Sequence, residues 1–185
     1  MRNKKILQFI LVISFILIGV GFRFLPHAPN FTPIAAIALF GGVYFSKKIA
    51  LVLPLTIMVL SDIFIGYYEI GIMLSVYLSF LVCVLLGFYL KKNKKWQIIL
   101  GSAFLCSLVF YLITNFAVWL FSPWYVKDFS GLITCYVVAL PFFKNTVLGD
   151  FIYIPVFFGA YESVKMALEK RIKILRENSI SNHIS

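Results

Sequence analysis

Apolar positions in this chain fall in long runs, and the polar residues between them form short, mostly basic clusters. A membrane helix rises about 1.5 Å per residue and needs roughly 20 residues to cross about 30 Å of hydrocarbon. On that measure the runs predict spans near Ile6–Phe22, Pro33–Phe45, Ile49–Phe64, Ile70–Leu90, Trp96–Phe121 and Pro141–Met166, the second being short. Between the fifth and sixth lies Ser122–Leu140, whose apolar part, Leu132–Leu140, is too short to span. It is expected to lie at the interface or to dip back into the bundle. Pro54 and Pro155 fall inside spans, where neighbouring helices can re-satisfy the freed carbonyls and local kinks are expected. The first run is long for the apolar core of a secretory signal and no A-x-A site follows it, so it reads as a retained helix. The predicted fold is an all-α polytopic bundle of six transmembrane helices over residues 1–168. A basic tail, 169–185, is expected to leave the last helix and fray into disorder.

Composition strengthens the membrane reading. Of 185 residues, 62% are hydrophobic and 13% charged, against roughly 45–50% and about 25% in soluble domains. The length allows one domain. A net charge of +10 would suit a nucleic-acid binder, but the basic residues sit at the ends of apolar runs rather than on one surface, so no nucleic-acid partner is expected. With a cytoplasmic N-terminus and six spans, 14 of the 17 basic residues fall on the cytoplasmic side, leaving only Arg23, Lys127 and Lys144 outside. Five spans would spoil that division. The positive-inside rule therefore places both termini in the cytoplasm, in the inner (plasma) membrane of a cell. Cys83, Cys106 and Cys135 lie within apolar runs without a C-x-x-C pair, which indicates small packing residues rather than a disulfide framework or zinc site.

Polar groups inside hydrocarbon cost several kcal/mol unless paired, so those that persist carry the information. On this topology they gather in the outer half. The loop after the first span holds Arg23, His27, Asn30 and Thr32; Asp62 lies near the end of the third span, followed by Tyr67, Tyr68 and Glu69. Asn115 and Trp119 lie in the outer part of the fifth span, Trp124, Tyr125, Lys127 and Asp128 follow it, and Lys144, Asn145 and Asp150 open the sixth. The candidate substrate-binding set is His27, Asn30, Asp62, Asn115, Trp119, Asn145 and Asp150. Each also has a plainer reading. His27 suits a solvated loop, Arg23 can snorkel, Asp62 can be wet at a helix end, and Trp119, Trp124 and Tyr125 suit an interfacial aromatic belt. Asp150 lies about 13 Å along its helix from Pro141, which demands a polar cavity or a partner such as Arg23 or Lys144. Pro26, Pro29 and Pro33 favour an extended first outer loop, a rigid lid across the mouth.

Catalytic signatures are missing: there is no H-E-x-x-H, G-x-S-x-G or phosphate-binding lysine loop. The spacing of His27, Asp62 and Asp150 does not require a metal, and no cofactor is expected. Small residues at Ala38, Gly41 and Gly42, and at Gly159 and Ser163, mark faces for close helix packing.

The stretch Arg23–Gly42, then Leu60-Ser61-Asp62, Ile113–Trp119, Leu140–Thr146 and Gly149-Asp150, resembles an uncharacterised family of small bacterial membrane proteins. That family is similar to the substrate-binding (S) components of energy-coupling factor vitamin transporters. The resemblance implies a bundle that captures a vitamin-like molecule near its outer face and topples within the membrane, driven by a partner transmembrane subunit and two ATPases. The first helix lacks the A-x-x-x-A motif that docks such a partner, so the Ala38/Gly42 face would have to serve, or the protein works alone. Solitary S-like proteins for cobalamin use a cysteine as cobalt ligand, and Cys83 is the candidate this comparison implies. The leading expectation is a non-enzymatic binding component for uptake of a small micronutrient, with the lipid bilayer and that ligand as partners. The alternatives are an outer-leaflet enzyme using His27 or Asp150 as acid/base, which needs His27 near an acid, and an envelope scaffold with no ligand.

Overall fold

Backbone groups in hydrocarbon must bond within their own segment, and the chain meets that constraint with helices. The computed structural model describes the backbone of residues 2–184 and the side chains of residues 6–171. The elements are α1 (Arg2–Phe24), α2 (Ile34–Tyr44), α3 (Lys47–Ile65), α4 (Ile70–Leu90), α5 (Trp96–Phe121), α6 (Phe129–Val138) and α7 (Leu140–Ile184), with no strand among the described residues. Pro54 and Pro155 sit within the continuous helices α3 and α7. The side chains of the basic tail beyond Arg171 lie outside the described residues.

Five helices are long and apolar enough to cross a membrane: α1, α3, α4, α5 and the apolar part of α7. The expected second span is the exception. At 11 residues α2 is about 16 Å long, half the hydrocarbon thickness. The segment before the last span contains a second short helix, α6, capped by Asp128, whose carboxylate accepts from the Gly131 N–H at 2.7 Å. Several apolar helices make this a multi-pass membrane protein.

The position of α2 explains its composition. Every residue from Ile34 to Val43 is buried, with α3, α4, α5 and α7 around it. Lipid tails are as apolar as leucine, so burial of α2 gains from close packing rather than from escape from solvent. Small residues supply that closeness. A Cβ on Gly42 would lie 2.3 Å from the Val84 carbonyl oxygen and 2.8 Å from Gly87 Cα, and one on Gly87 would lie 2.4 Å from the Leu39 carbonyl oxygen. Backbone therefore rests on backbone where α2 meets α4. The Ala38/Gly42 face is consumed by this contact, so it cannot dock a partner subunit; Ala38 and Gly42 are buried inside the bundle. Gly159, by contrast, has only the tip of Trp96 near it, at 4.0 Å. Phe40 anchors the core around α2, with edge-on contacts to Phe15 and Phe158 at centroid separations of 5.1 and 5.4 Å.

Two polar clusters mark the ends of the bundle. At one, the end of α1 meets the end of α3 through Arg23 and Asp62. At the other, the Tyr44 hydroxyl closing α2 donates to Glu162 of α7 at 2.6 Å. Lys94, from the α4–α5 connection, lies 4.1 Å from the Tyr44 ring centre and 3.9 Å from Glu162. Partial desolvation holds the Lys94 ammonium below its ordinary range, against the opposing pull of Glu162. The lysine-rich turns Lys47-Lys48 and Lys91–Lys95 belong to this second end.

Candidate functional site

The polar cluster at the Arg23 end begins with an ion pair. Asp62 is fully buried and Arg23 partly buried, its side chain 16% exposed. One terminal nitrogen of Arg23 lies 2.6 Å from Asp62 Oδ1, 2.7 Å from Ser61 Oγ and 3.3 Å from Met58 Sδ. Its hydrogens are aligned on Ser61 and Met58, so the contact with Oδ1 is ionic, and that oxygen has no aligned donor. Tyr77 of α4 donates to the other carboxylate oxygen at 2.6 Å. Asp62 is therefore neither wet nor a cavity group. It is a sealed counter-ion that fixes Arg23 and ties α1, α3 and α4 together.

Beside this pair lies a cavity of about 340 Å³, lined by Arg23, His27, Asn30, Thr32, Phe80, Phe110, Thr146 and Asp150 among others. Its roof is the loop between α1 and α2. The Phe31 N–H bonds to the Ala28 carbonyl at 3.0 Å, placing Pro29 and Asn30 at the centre of a turn. Asn30 has φ +65°, the left-handed conformation that asparagine tolerates better than most residues. Asn145 of α7 donates to the Pro29 carbonyl at 3.1 Å, and the Phe31 ring packs on Tyr153 at 5.3 Å, so the loop folds down onto α7. His27 Nδ1 donates to the Leu25 carbonyl at 2.6 Å; no acid bonds to His27 among the described residues.

Asp150 forms part of the lining and is 1% exposed. Its Oδ2 accepts from Ser107 of α5 at 2.6 Å. Neither Arg23 nor Lys144, the partners expected from position along the chain, pairs with it: Arg23 is committed to Asp62, and Lys144 is exposed at the helix start.

A second cavity, about 310 Å³, adjoins the first, sharing Asn30, Val76, Phe110 and Thr146 with it. Its other walls include Tyr111, Thr114, Asn115, Trp124, Tyr125, Cys135 and Phe143. The Asn115 amide donates to the Tyr111 carbonyl of its own helix at 2.8 Å, and Cys135 lies 3.4 Å from the Asn115 carbonyl.

Of the seven residues proposed from sequence, His27, Asn30 and Asp150 line the first cavity, and Asn30 and Asn115 the second. Asp62, Trp119 and Asn145 line neither and act on the framework. Trp119 donates to the Val126 carbonyl at 3.0 Å, and Lys127 turns back onto the carbonyls of Trp119 and Ser122, closing the end of α5. Cys83 is fully buried and lines neither cavity. No group of three or more His, Cys, Asp or Glu that could hold a metal ion occurs among the described residues. The sequence reading missed Ser107, Thr146, Phe80 and Phe110. Serine and threonine in apolar helices bond their own preceding carbonyls, as Thr146 does to Phe142 at 3.0 Å, and so give no signal along the chain.

A family model described as a family of unknown function, DUF6580, matches residues 3–172. The chain belongs to the DUF6580 family. The match takes in every residue of both cavities, so this mouth is part of the DUF6580 region itself rather than of an appendage. No curated protein and no solved structure matches this DUF6580 chain.

Proposed function

We propose that this protein is the membrane-embedded binding component of an uptake system for a small, vitamin-like molecule, held in the cavity beneath the α1–α2 loop. The observation that carries this reading is the convergence of polar groups from α1, the α1–α2 loop and α7 on one space. Arg23 comes from α1, His27, Asn30 and Thr32 from the loop, and Thr146 and Asp150 from α7, against aromatic walls from α4 and α5. Pockets for small ligands are typically about 300–1,000 Å³, mostly apolar, with a few placed polar groups, and this one fits that description.

The reading includes an orientation. The chain enters α2 at the Arg23 end and leaves it at the lysine-rich end, so α2 with its flanking residues makes a sixth passage. Both termini and the lysine-rich turns then lie in the cytoplasm of a cell whose inner membrane holds the protein, and the cavity faces outward. An energy-coupling partner, a transmembrane subunit with ATPases, would have to dock on a surface other than the Ala38/Gly42 face.

The test is purification in mild detergent, extraction of bound small molecules for mass spectrometry, and thermal unfolding across a vitamin panel. A recovered ligand that raises the unfolding temperature saturably is expected. Recovery of none, with no shift across the panel, would overturn the reading.

A further inference from the structure

Charge accounting within the cavity deepens that reading, on which it rests. The charged side chains of this region that are withdrawn from solvent are Arg23, partly buried, and Asp62 and Asp150, both buried. Arg23 and Asp62 form a neutral pair at 2.6 Å. Asp150 is left over. It has one neutral partner, Ser107, on Oδ2, no donor to Oδ1 among the described residues, and a place in the cavity lining. A buried carboxylate with a single neutral partner lacks a counter-charge, which a bound cation supplies in place of a proton.

The rest of the lining narrows what can supply that charge. Phe80 and Phe110 line the same cavity, their ring centres 5.4 Å apart and their planes 35° off parallel, which presents an aromatic wall. Aromatic faces attract cations, most strongly where water is displaced. A hard divalent cation favours several carboxylate oxygens, and no group of three or more His, Cys, Asp or Glu occurs among the described residues. An organic ammonium needs only a carboxylate, a hydroxyl or two and an aromatic surface.

We propose that the cavity takes an organic monocation, its protonated or quaternary amine seated between Asp150 Oδ1 and the Phe80/Phe110 wall, its less polar remainder directed toward the adjoining second cavity. Neutral analogues of the same shape bind at least tenfold more weakly, and anionic ones are repelled by the unmatched carboxylate.

The test uses shape-matched probes on the full chain in detergent or nanodiscs: 2-phenylethylammonium, 2-phenylethanol and 3-phenylpropionate, with choline against 3,3-dimethyl-1-butanol. Binding is read by thermal shift and calorimetry for the wild type and for Asp150→Asn, a near-isostere that can still accept from Ser107. Saturable binding of the two cations, at least tenfold tighter than their neutral partners and weakened at least tenfold in Asp150→Asn, is expected. Should Asp150→Asn fail to fold, the wild-type comparison of cation with alcohol decides alone. Equal response to cation and alcohol, preference for the carboxylate, or stabilisation by sodium or potassium chloride that Asp150→Asn abolishes would overturn the monocation while leaving a ligand cavity. No binding by any probe, with no co-purified molecule, would remove both the monocation and the uptake reading.

Discussion

Arg23 and Asp62 behave as one unit. Removing one member of a buried ion pair leaves an uncompensated charge, at a cost of roughly 3–5 kcal/mol, whereas removing both is far milder. Arg23→Gln and Asp62→Asn are each expected to lower thermal stability in detergent by an amount of that order. The double variant should lose clearly less than the sum, and strictly additive losses would show that the pair is not coupled. Asn30 makes a different demand, because its φ of +65° is a backbone requirement. Asn30→Gly should be nearly neutral, and Asn30→Val should cost about 1–2 kcal/mol in the same unfolding assay. Sequence gathered these residues toward one end of the bundle but could not pair them. Asp62 and Asp150 both lie toward the Arg23 end in apolar helices, and only the rotation of α3 and α7 decides that one meets arginine and the other the cavity lining. Helical phase within a run that is apolar all round leaves no periodic trace, so that information is absent from the pattern.

At the scale of elements, the α2–α4 crossing is the most constrained contact. Gly87→Ala would set a methyl group 2.4 Å from the Leu39 carbonyl and 2.8 Å from Gly42 Cα, backbone atoms that cannot swing away. The helices must separate, and overpacking of this kind typically costs about 1–3 kcal/mol. Gly101→Ala, where nothing lies within 4 Å, is the control and should be neutral or slightly stabilising. Thermal unfolding of the two variants side by side checks this, and equal midpoints would contradict the close approach. The boundaries of α4 and α5 were readable because length and hydropathy determine them, whereas α7 runs on to Ile184, past the expected end at Met166, because a helix can continue through a polar stretch that hydropathy marks as its end. The small residues of α2 were also readable as a packing face, but what packs there was not: an external subunit and an internal helix leave the same small-residue signature.

At the scale of the molecule, the cavity is the property that single elements do not carry. Ala35 of α2 lines it and has a small side chain, so Ala35→Leu should occupy part of the space. The expected outcome is at least a tenfold loss of affinity for any ligand recovered from the wild type, with less effect on stability than Gly87→Ala. Retained affinity would move the binding site elsewhere. The proposed orientation is checked by single cysteines introduced at exposed Phe129 and exposed Lys91, in a background lacking Cys83, Cys106 and Cys135. A membrane-impermeant thiol reagent applied to intact cells should label the first position and not the second.

The burial of α2 also has a consequence in time. A helix buried from Ile34 to Val43 is synthesised before α4, α5 and α7, the walls it needs. During elongation it has no stable berth: it is too short to be retained in the bilayer as an independent span, and its glycine-to-glycine seat against Gly87 does not yet exist. The nascent chain must therefore hold α2 provisionally and lock it only when the later helices close around it. Assembly of this bundle finishes at its centre rather than at its carboxyl end.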